Sequence, residues 1–320
     1  MKKLISILVL FLVFTQMALS QTRVVKVLDT NWKFQKGDFE AAHKVNFNDS
    51  KWESVTVPHD WAIYGPFDKN VDIQNVAIVQ NGENVATEKT GRTGALPHIG
   101  TAWYRNTFKL PKDSKGKKVM LLFEGAMSEP QVYLNGKKVG EWAYGYSYFY
   151  FDVSQLIEEG ANTLSVKLTN KEFASRWYPG AGLYRKVSVI IKNNESIDQW
   201  GQFVTTPFIS EEVAKVNIKT KTSGENSRLV TTIFDAEGHK LSSEESTMQF
   251  GNEFDQNIKV EKPKLWSPET PYLYKAVSQL YVGKELKDEI STRFGIREIK
   301  YEANKGFSLN GKITKFKGVC

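Results

Sequence analysis

Val132-Tyr133-Leu134-Asn135-Gly136-Lys137-Lys138-Val139 is the stretch that decides how this chain of 320 residues is read. Asn-Gly accepts positive φ at both central positions, which a two-residue type I′ turn between antiparallel strands demands. The stretch therefore predicts a β-hairpin. The same signal recurs at Asn310-Gly311, between Phe307-Ser308-Leu309 and Ile313-Thr314-Lys315-Phe316.

Outward from the first hairpin the chain keeps reading as strands. Val24–Leu28, Val119–Phe123, Thr163–Leu168 and Val187–Ile191 are β-branched or alternating runs, each bounded by Gly, Asn, Asp or Pro. No window of about 12 residues shows helical periodicity with caps. Ser154–Gly160 has the pattern of one helical turn ended by Gly160. Short strands at turn-punctuated intervals, with no helices between them, predict an all-β chain of sandwiches.

A break falls near 193–201, where Asn193-Asn194-Glu195-Ser196 reads as a linker, which Trp200 also marks. Beyond it Thr, Lys and Ser rise while Trp and Tyr thin out. The segment from about 201 to 298 has the length of an immunoglobulin-like sandwich, without an internal Cys pair. Asp235-Ala236-Glu237-Gly238 is a turn between two of its strands, and Leu265–Tyr274 is a proline-fixed turn into a late strand.

Residues 1–20 stand apart from this pattern. Lys2 and Lys3 precede an apolar stretch from Leu4 to Phe14, and Ala18-Leu19-Ser20 supplies small residues before Gln21. That is a secretory signal peptide, too short in its apolar core for a membrane span. The expected product is exported, periplasmic or extracellular, and not inserted in a membrane. Removing Lys2 and Lys3 takes the net charge from +7 to +5. The remaining cations alternate with acids, as in Lys284-Glu285-Leu286-Lys287-Asp288-Glu289, so no basic stripe suggests nucleic acid. The one cysteine, Cys320, leaves no disulfide within the chain, so packed cores must hold it together.

Seven of the eight Trp residues precede position 201. Trp32, Trp52 and Trp103, set among alternating strand residues, read as core. Trp61 and Trp177 lie among Pro, Gly and charged residues, where packing and stacking on a sugar ring both stay open. Val57-Pro58-His59-Asp60-Trp61 sets two hydrogen-bonding side chains beside a ring; Asp60 suits either sugar hydroxyls or an Asx turn. Arg176-Trp177-Tyr178-Pro179-Gly180-Ala181-Gly182-Leu183-Tyr184-Arg185 is a richer loop, in which Arg176 presents a planar donor fork suited to hydroxyls or to a neighbouring carboxylate. The four His (43, 59, 98 and 239) show no metal-ligand spacing, and no Gly-Xaa-Ser-Xaa-Gly elbow or phosphate loop appears. No cofactor and no metal are expected.

Trp32-Lys33-Phe34, Pro58-His59-Asp60-Trp61, Thr101-Ala102-Trp103-Tyr104-Arg105, Val132–Gly136 and Arg176–Gly180 resemble, in wording and in order, family 2 glycoside hydrolases of the exported bacterial β-galactosidase type. Phe294-Gly295-Ile296-Arg297, Phe307–Lys312 and Lys317–Cys320 are similar to that family's passage into its catalytic barrel. The resemblance implies a jelly-roll, galactose-binding-like sandwich over 21–192, an immunoglobulin-like sandwich over 193–298, and at 299–320 the start of a (β/α)8 barrel, with Phe316 to Cys320 as its first strand.

It further implies retaining hydrolysis of terminal β-galactosides by two barrel glutamates. Such a pair sits about 5–5.5 Å apart, and one member forms a glycosyl-enzyme intermediate. No position here matches those glutamates, and Glu124 and Glu172 do not fill the role. The barrel is then the missing intramolecular partner and a β-galactoside or glycan the substrate. Arg176 and Trp177, with Asp60 and His59, are implied at the rim of the barrel's pocket. β-Glucuronidase and β-mannosidase activity within the same family remain alternatives. So does, from another class, a non-catalytic carbohydrate-binding sandwich.

Overall fold

A computed structural model describes residues 22–91, 93–175 and 177–318; the N-terminal apolar stretch, Arg176 and Cys320 lie outside the described residues. Twelve strands belong to the first part: β1 (Arg23–Val27), β2 (Trp32–Lys36), β3 (Glu53–Val55), β4 (Ile73–Val76), β5 (Thr87–Thr90), β6 (Gly100–Lys109), β7 (Lys118–Phe123), β8 (Gln131–Leu134), β9 (Lys137–Glu141), β10 (Phe149–Asp152), β11 (Ala161–Asn170) and β12 (Val187–Lys192). They form a four-stranded sheet, β1-β12-β7-β10, and a six-stranded sheet, β3-β2-β6-β11-β8-β9, with β4 and β5 as a separate hairpin.

The alternation that predicted these strands places Leu164, Val166 and Leu168 of β11 against Leu121 and Phe123 of β7, with Trp32 and Tyr104 fully buried among them. The predicted hairpin joins β8 to β9, with Asn135 at φ 51° and Gly136 at φ 79°. Asn135 does more than turn: its Nδ2 donates to Asn162 Oδ1 and its Oδ1 accepts from Thr163 N, locking the turn to β11. The six-stranded sheet is covered on its outer face too. The segment 38–52 lays Trp52, Phe39 and Phe47 over Trp103 and is pinned by Arg105, which is 3% exposed. That guanidinium donates to Asp49 (2.7 Å), Ser165 (2.9 Å) and the carbonyls of Ala42 and Lys44.

The second part comprises β13 (Ser196–Ile209), β14 (Val213–Ser223), β15 (Ser227–Phe234), β16 (Lys240–Met248), β17 (Glu253–Glu261), β18 (Tyr274–Val282) and β19 (Glu285–Phe294). A three-stranded sheet β13-β14-β17 faces a four-stranded sheet β16-β15-β18-β19. Strict two-residue alternation in β14 and β17 turns Val216, Ile218 and Ile258 inward onto Ile233, Ala276 and Phe294. This seven-stranded pair is the predicted immunoglobulin-like sandwich.

The break between the parts is tighter than the sequence suggested. Only Asn193–Glu195 separate β12 from β13, and Trp200 lies inside β13 at an irregularity, with φ 56°, rather than in a linker. Asn193 and Asn194 spend their amides on Lys287 O and Gly116 O, so the polar residues that read as a linker are fastened.

After β19, β20 (Ile299–Glu302), β21 (Gly306–Leu309) and β22 (Lys312–Ile313) make a small antiparallel sheet, its second Asn-Gly turn at φ 50° and 76°. Asn310 ties it to the second sandwich by donating to Trp266 O at 3.0 Å. Thr314–Gly318 carry no strand pairing, and Phe316, 72% exposed, leans on Phe307 at 4.5 Å. Among the described residues the only helical elements are the single 3-10 turns Val79–Asn81 and Lys112–Ser114, so no (β/α)8 barrel is present there. Ser154–Gly160 makes one turn, closed by Leu156 N on Val153 O, and does not continue as helix.

Candidate functional site

The turn after β3 and the loop before β12 are knitted together residue by residue. His59 N donates to Leu183 O and Trp61 N to Ala181 O, at 2.8 and 2.9 Å. Between them Asp60 Oδ1 accepts from Ala62 N, Ile63 N and the Tyr178 hydroxyl, and Oδ2 from Ala181 N. The carboxylate thus receives four hydrogen bonds, three of them on Oδ1. Asp60 is therefore both an Asx turn and a cross-link that seats Tyr178–Ala181. Burial, reinforced by the Asp60 hydrogen bond and charge, pushes the Tyr178 phenol far above its ordinary range. Gly182, at φ 131°, completes the close approach: a Cβ there would stand 2.5 Å from His59 O and Tyr104 Oη.

His59 faces elsewhere. Its Nδ1 is 2.7 Å from Tyr104 Oη, and its ring meets Phe34 edge-on at 4.9 Å. Burial lowers its pKa, opposed by the charges of Glu53 and Asp60, which favours a neutral imidazole at pH 7. It borders an open groove of about 680 Å³ beside Trp32, Glu53 and Thr56.

Trp177 opens onto a different cleft, of about 320 Å³, bordered also by His98, Ser128, Tyr144, Tyr146 and Asn170. The indole is 59% exposed and held by its Nε1, which donates to Tyr146 Oη at 2.9 Å. Asn170 fixes the cleft's floor by donating to His98 O and Gly180 O. Of the four residues expected at a rim, the structure thus sets Trp177 and His59 on separate hollows and Asp60 beneath the loop that carries Trp177; Arg176 lies outside the described residues.

Sequence reasoning missed the tyrosines. Tyr144, Tyr146, Tyr148 and Tyr150 are all substantially exposed, and Tyr148 and Tyr150 meet Trp200 of the second sandwich edge-on, at 6.1 and 5.2 Å. The signal was available: aromatic residues at every second position from Trp142 to Tyr150, with only Phe149 breaking the spacing to enter the core. Also unforeseen is a cluster at the tip between β15 and β16, where Asp235, Glu237 and His239 bring ligand-type atoms within 4.8 Å of one another. Its bonds are those of a closed turn, His239 N and Nδ1 to Asp235 and the Tyr272 hydroxyl to Glu237.

With two sandwiches and this loop cluster in place, comparison with known families is decisive. Residues 25–193 match the sugar binding domain of glycosyl hydrolases family 2, and residues 196–297 match the glycosyl hydrolases family 2 model. The chain belongs to glycosyl hydrolase family 2. This family 2 chain is 35% identical to β-galactosidase BoGH2A of Bacteroides ovatus, over 91% of its own length and 34% of the relative's. It is 33% identical to a putative β-glucuronidase of Formosa agariphila, over 93% of its length and 27% of the relative's. Among solved structures, a β-glycosidase from Bacteroides vulgatus superposes with a TM-score of 0.81 at 29% identity, covering 93% of this chain and 37% of that one. Bacteroides uniformis β-glucuronidase gives 0.76 at 29%, covering 93% and 35%. The family 2 chain spans about a third of the length of the curated relatives it matches.

Proposed function

We propose that this chain is the sugar-positioning front of a retaining β-galactosidase, working with a barrel that supplies both catalytic glutamates, and that the 320 residues alone do not hydrolyse glycosides. The observation that carries the reading is the 35% identity with a β-galactosidase across both sandwiches. The cross-linked loop behind Trp177 supports it, because such a loop is stiff enough to form a wall of a neighbouring pocket. Identity with β-glucuronidases at 33% keeps that sugar as the second reading within the family. In this proposal Arg176 and Trp177 contact substrate and Asp60 positions their loop. His59, on its separate groove, has the weakest part. Export by residues 1–20 belongs to the same proposal.

The test compares the purified chain with a protein in which it is joined to a family 2 barrel, on chromogenic β-galactoside and β-glucuronide. The expected result is turnover of the galactoside by the joined protein and a blank from the chain. Turnover by the chain itself, or a preference for glucuronide, sinks the corresponding half of the reading. In the joined protein Arg176→Ala should raise KM or lower kcat without unfolding; unchanged kinetics would remove Arg176 from the site.

A further inference from the structure

We propose that the cavity between the β6–β7 turn and the β10–β11 turn binds a small carboxylate that carries an apolar tail. This is the far end of the first sandwich from Trp177. β6 starts at Gly100, two residues after His98 of the Trp177 cleft, and its ten residues end at Lys109 on the rim of this cavity. At ordinary strand rise the two ends of β6 stand about 30 Å apart. The proposal is independent of the hydrolase reading, since none of the residues assigned to substrate there takes part.

The cavity holds about 630 Å³, inside the range of small-molecule sites. Leu110, Pro111 and Ile157 form an apolar bed, and Lys109, Lys112 and Ser114 bring donors to it. Both walls are preformed. Ser114 N donates to Pro111 O and Lys117 N to Ser114 O, which closes the first turn. In the second, fully buried Asn162 accepts from Glu158 N and donates to Glu158 O and Gly160 O. Walls fixed in this way lower the ordering cost of binding.

Ser114 is the residue that points to a ligand. It borders the cavity at 2% exposure, yet its hydroxyl has no hydrogen-bond partner in the protein. Buried hydroxyls are rarely left so. Its free proton suits an anionic oxygen best, because charge-assisted hydrogen bonds are the strong ones. The rim agrees in sign. Among the described residues Lys109 and Lys112 pair with no carboxylate, while Lys115 reaches Glu159 at 3.8 Å. Glu158 opposes the two unpaired lysines and leaves one cation in excess. A bare inorganic anion would leave the Leu110–Ile157 bed in water, and a neutral tail would leave the lysines unmatched. A carboxylate on a chain of about six carbons satisfies both.

The experiment follows backbone amide resonances of the purified chain during titration with hexanoate, acetate or 1-hexanol. Hexanoate should bind with a Kd on the order of 1 mM, and about tenfold or more tighter than acetate, which lacks the tail, or 1-hexanol, which lacks the charge. The shifted amides should lie in Lys112–Lys115 and Ile157–Gly160. Ser114→Ala and Lys112→Gln should each weaken hexanoate about fivefold, and Glu158→Gln should tighten it about threefold by removing a like charge. Lys240→Gln, on the second sandwich, should leave it unchanged. Lys112 and Glu158 are exposed, so changes in affinity there are not losses of fold, and unaltered circular dichroism shows the same for Ser114→Ala. No response to hexanoate up to about 50 mM, shifts that map elsewhere, or full affinity in both Ser114→Ala and Lys112→Gln overturns the site. 1-Hexanol bound as tightly as hexanoate overturns the carboxylate.

Discussion

Arg23 and Asp288 lie 265 residues apart and meet in a two-pronged pair, Nη2–Oδ2 at 2.6 Å and Nε–Oδ1 at 3.2 Å, where the two sandwiches touch. Asp288 is fully buried and also accepts from Ile197 N at 2.9 Å, while Ile197 O receives both Arg23 and Lys192. Removing one partner of a buried pair strands the other, so Asp288→Ala should cost about 3–5 kcal/mol. Urea unfolding measures it, and a loss well under about 1 kcal/mol would show that water already reaches the pair.

Lys192 sits in the same junction, 1% exposed, its pKa lowered to about 8 first by burial and then by Arg23 and Lys118, against the pull of Asp288 and Asp198. The unfolded chain holds that proton up to about 10.5, so between pH 8 and 10.5 the unfolded state binds more protons than the folded one. This lysine's contribution to stability is accordingly least favourable below pH 8 and improves as pH rises toward 10.5. Wild type should gain on Lys192→Met over that window; a difference between the two that is flat from pH 7 to 10 contradicts the placement.

Gly182→Ala should be among the most damaging small substitutions. Its φ of 131° is a conformation that L residues rarely adopt, and the new methyl meets His59 O and Tyr104 Oη at 2.5 Å. Backbone strain and the clash together should cost about 3 kcal/mol or more. A melting temperature within a few degrees of wild type would mean that the loop yields instead.

Asp60→Asn replaces an acceptor with a donor amide at a group already receiving four hydrogen bonds. One of Tyr178 Oη or Ala181 N then loses its partner, at about 1–3 kcal/mol. Without the neighbouring negative charge, the Tyr178 phenol should also ionise at lower pH than in wild type, followed by absorbance near the phenolate band. An unmoved titration would show that burial alone, the larger cause, sets it.

Arg105→Lys should not substitute for arginine. Four contacts radiate from one planar fork, and an ammonium has three donors on a different geometry. Segment 38–52 should become susceptible to limited proteolysis in the lysine variant, while resistance equal to wild type would show that Trp52 and Phe39 hold it by packing alone.

Local signals carried far in this chain. Both Asn-Gly turns adopt the left-handed pairs that their chemistry allows, because that preference is decided within two residues. The core roles of Trp32, Trp52 and Trp103 followed from their alternation with polar neighbours. What stayed hidden depends on partners distant in sequence. Asp60 reads the same whether it caps a turn or also holds Ala181, 121 residues away. The separation of His59 from Trp177 likewise depends on how the turn after β3 and the loop before β12 bond to one another, His59 N to Leu183 O and Trp61 N to Ala181 O. Trp200 looked like a boundary marker because a bulge inside a long strand resembles a strand end. The tyrosines follow the same two-residue alternation as the buried strands, but here the outward members are the aromatic ones.

Three residues, Asn193–Glu195, are the whole stretch of chain between the strands β12 and β13 of the two sandwiches, and two of them are tied by their side chains. Such a tether has no slack to swing on. Anything that prises Tyr148 or Tyr150 away from Trp200 must therefore work against the Arg23–Asp288 lock at the same time, so the aromatic face and the junction should soften together rather than one by one.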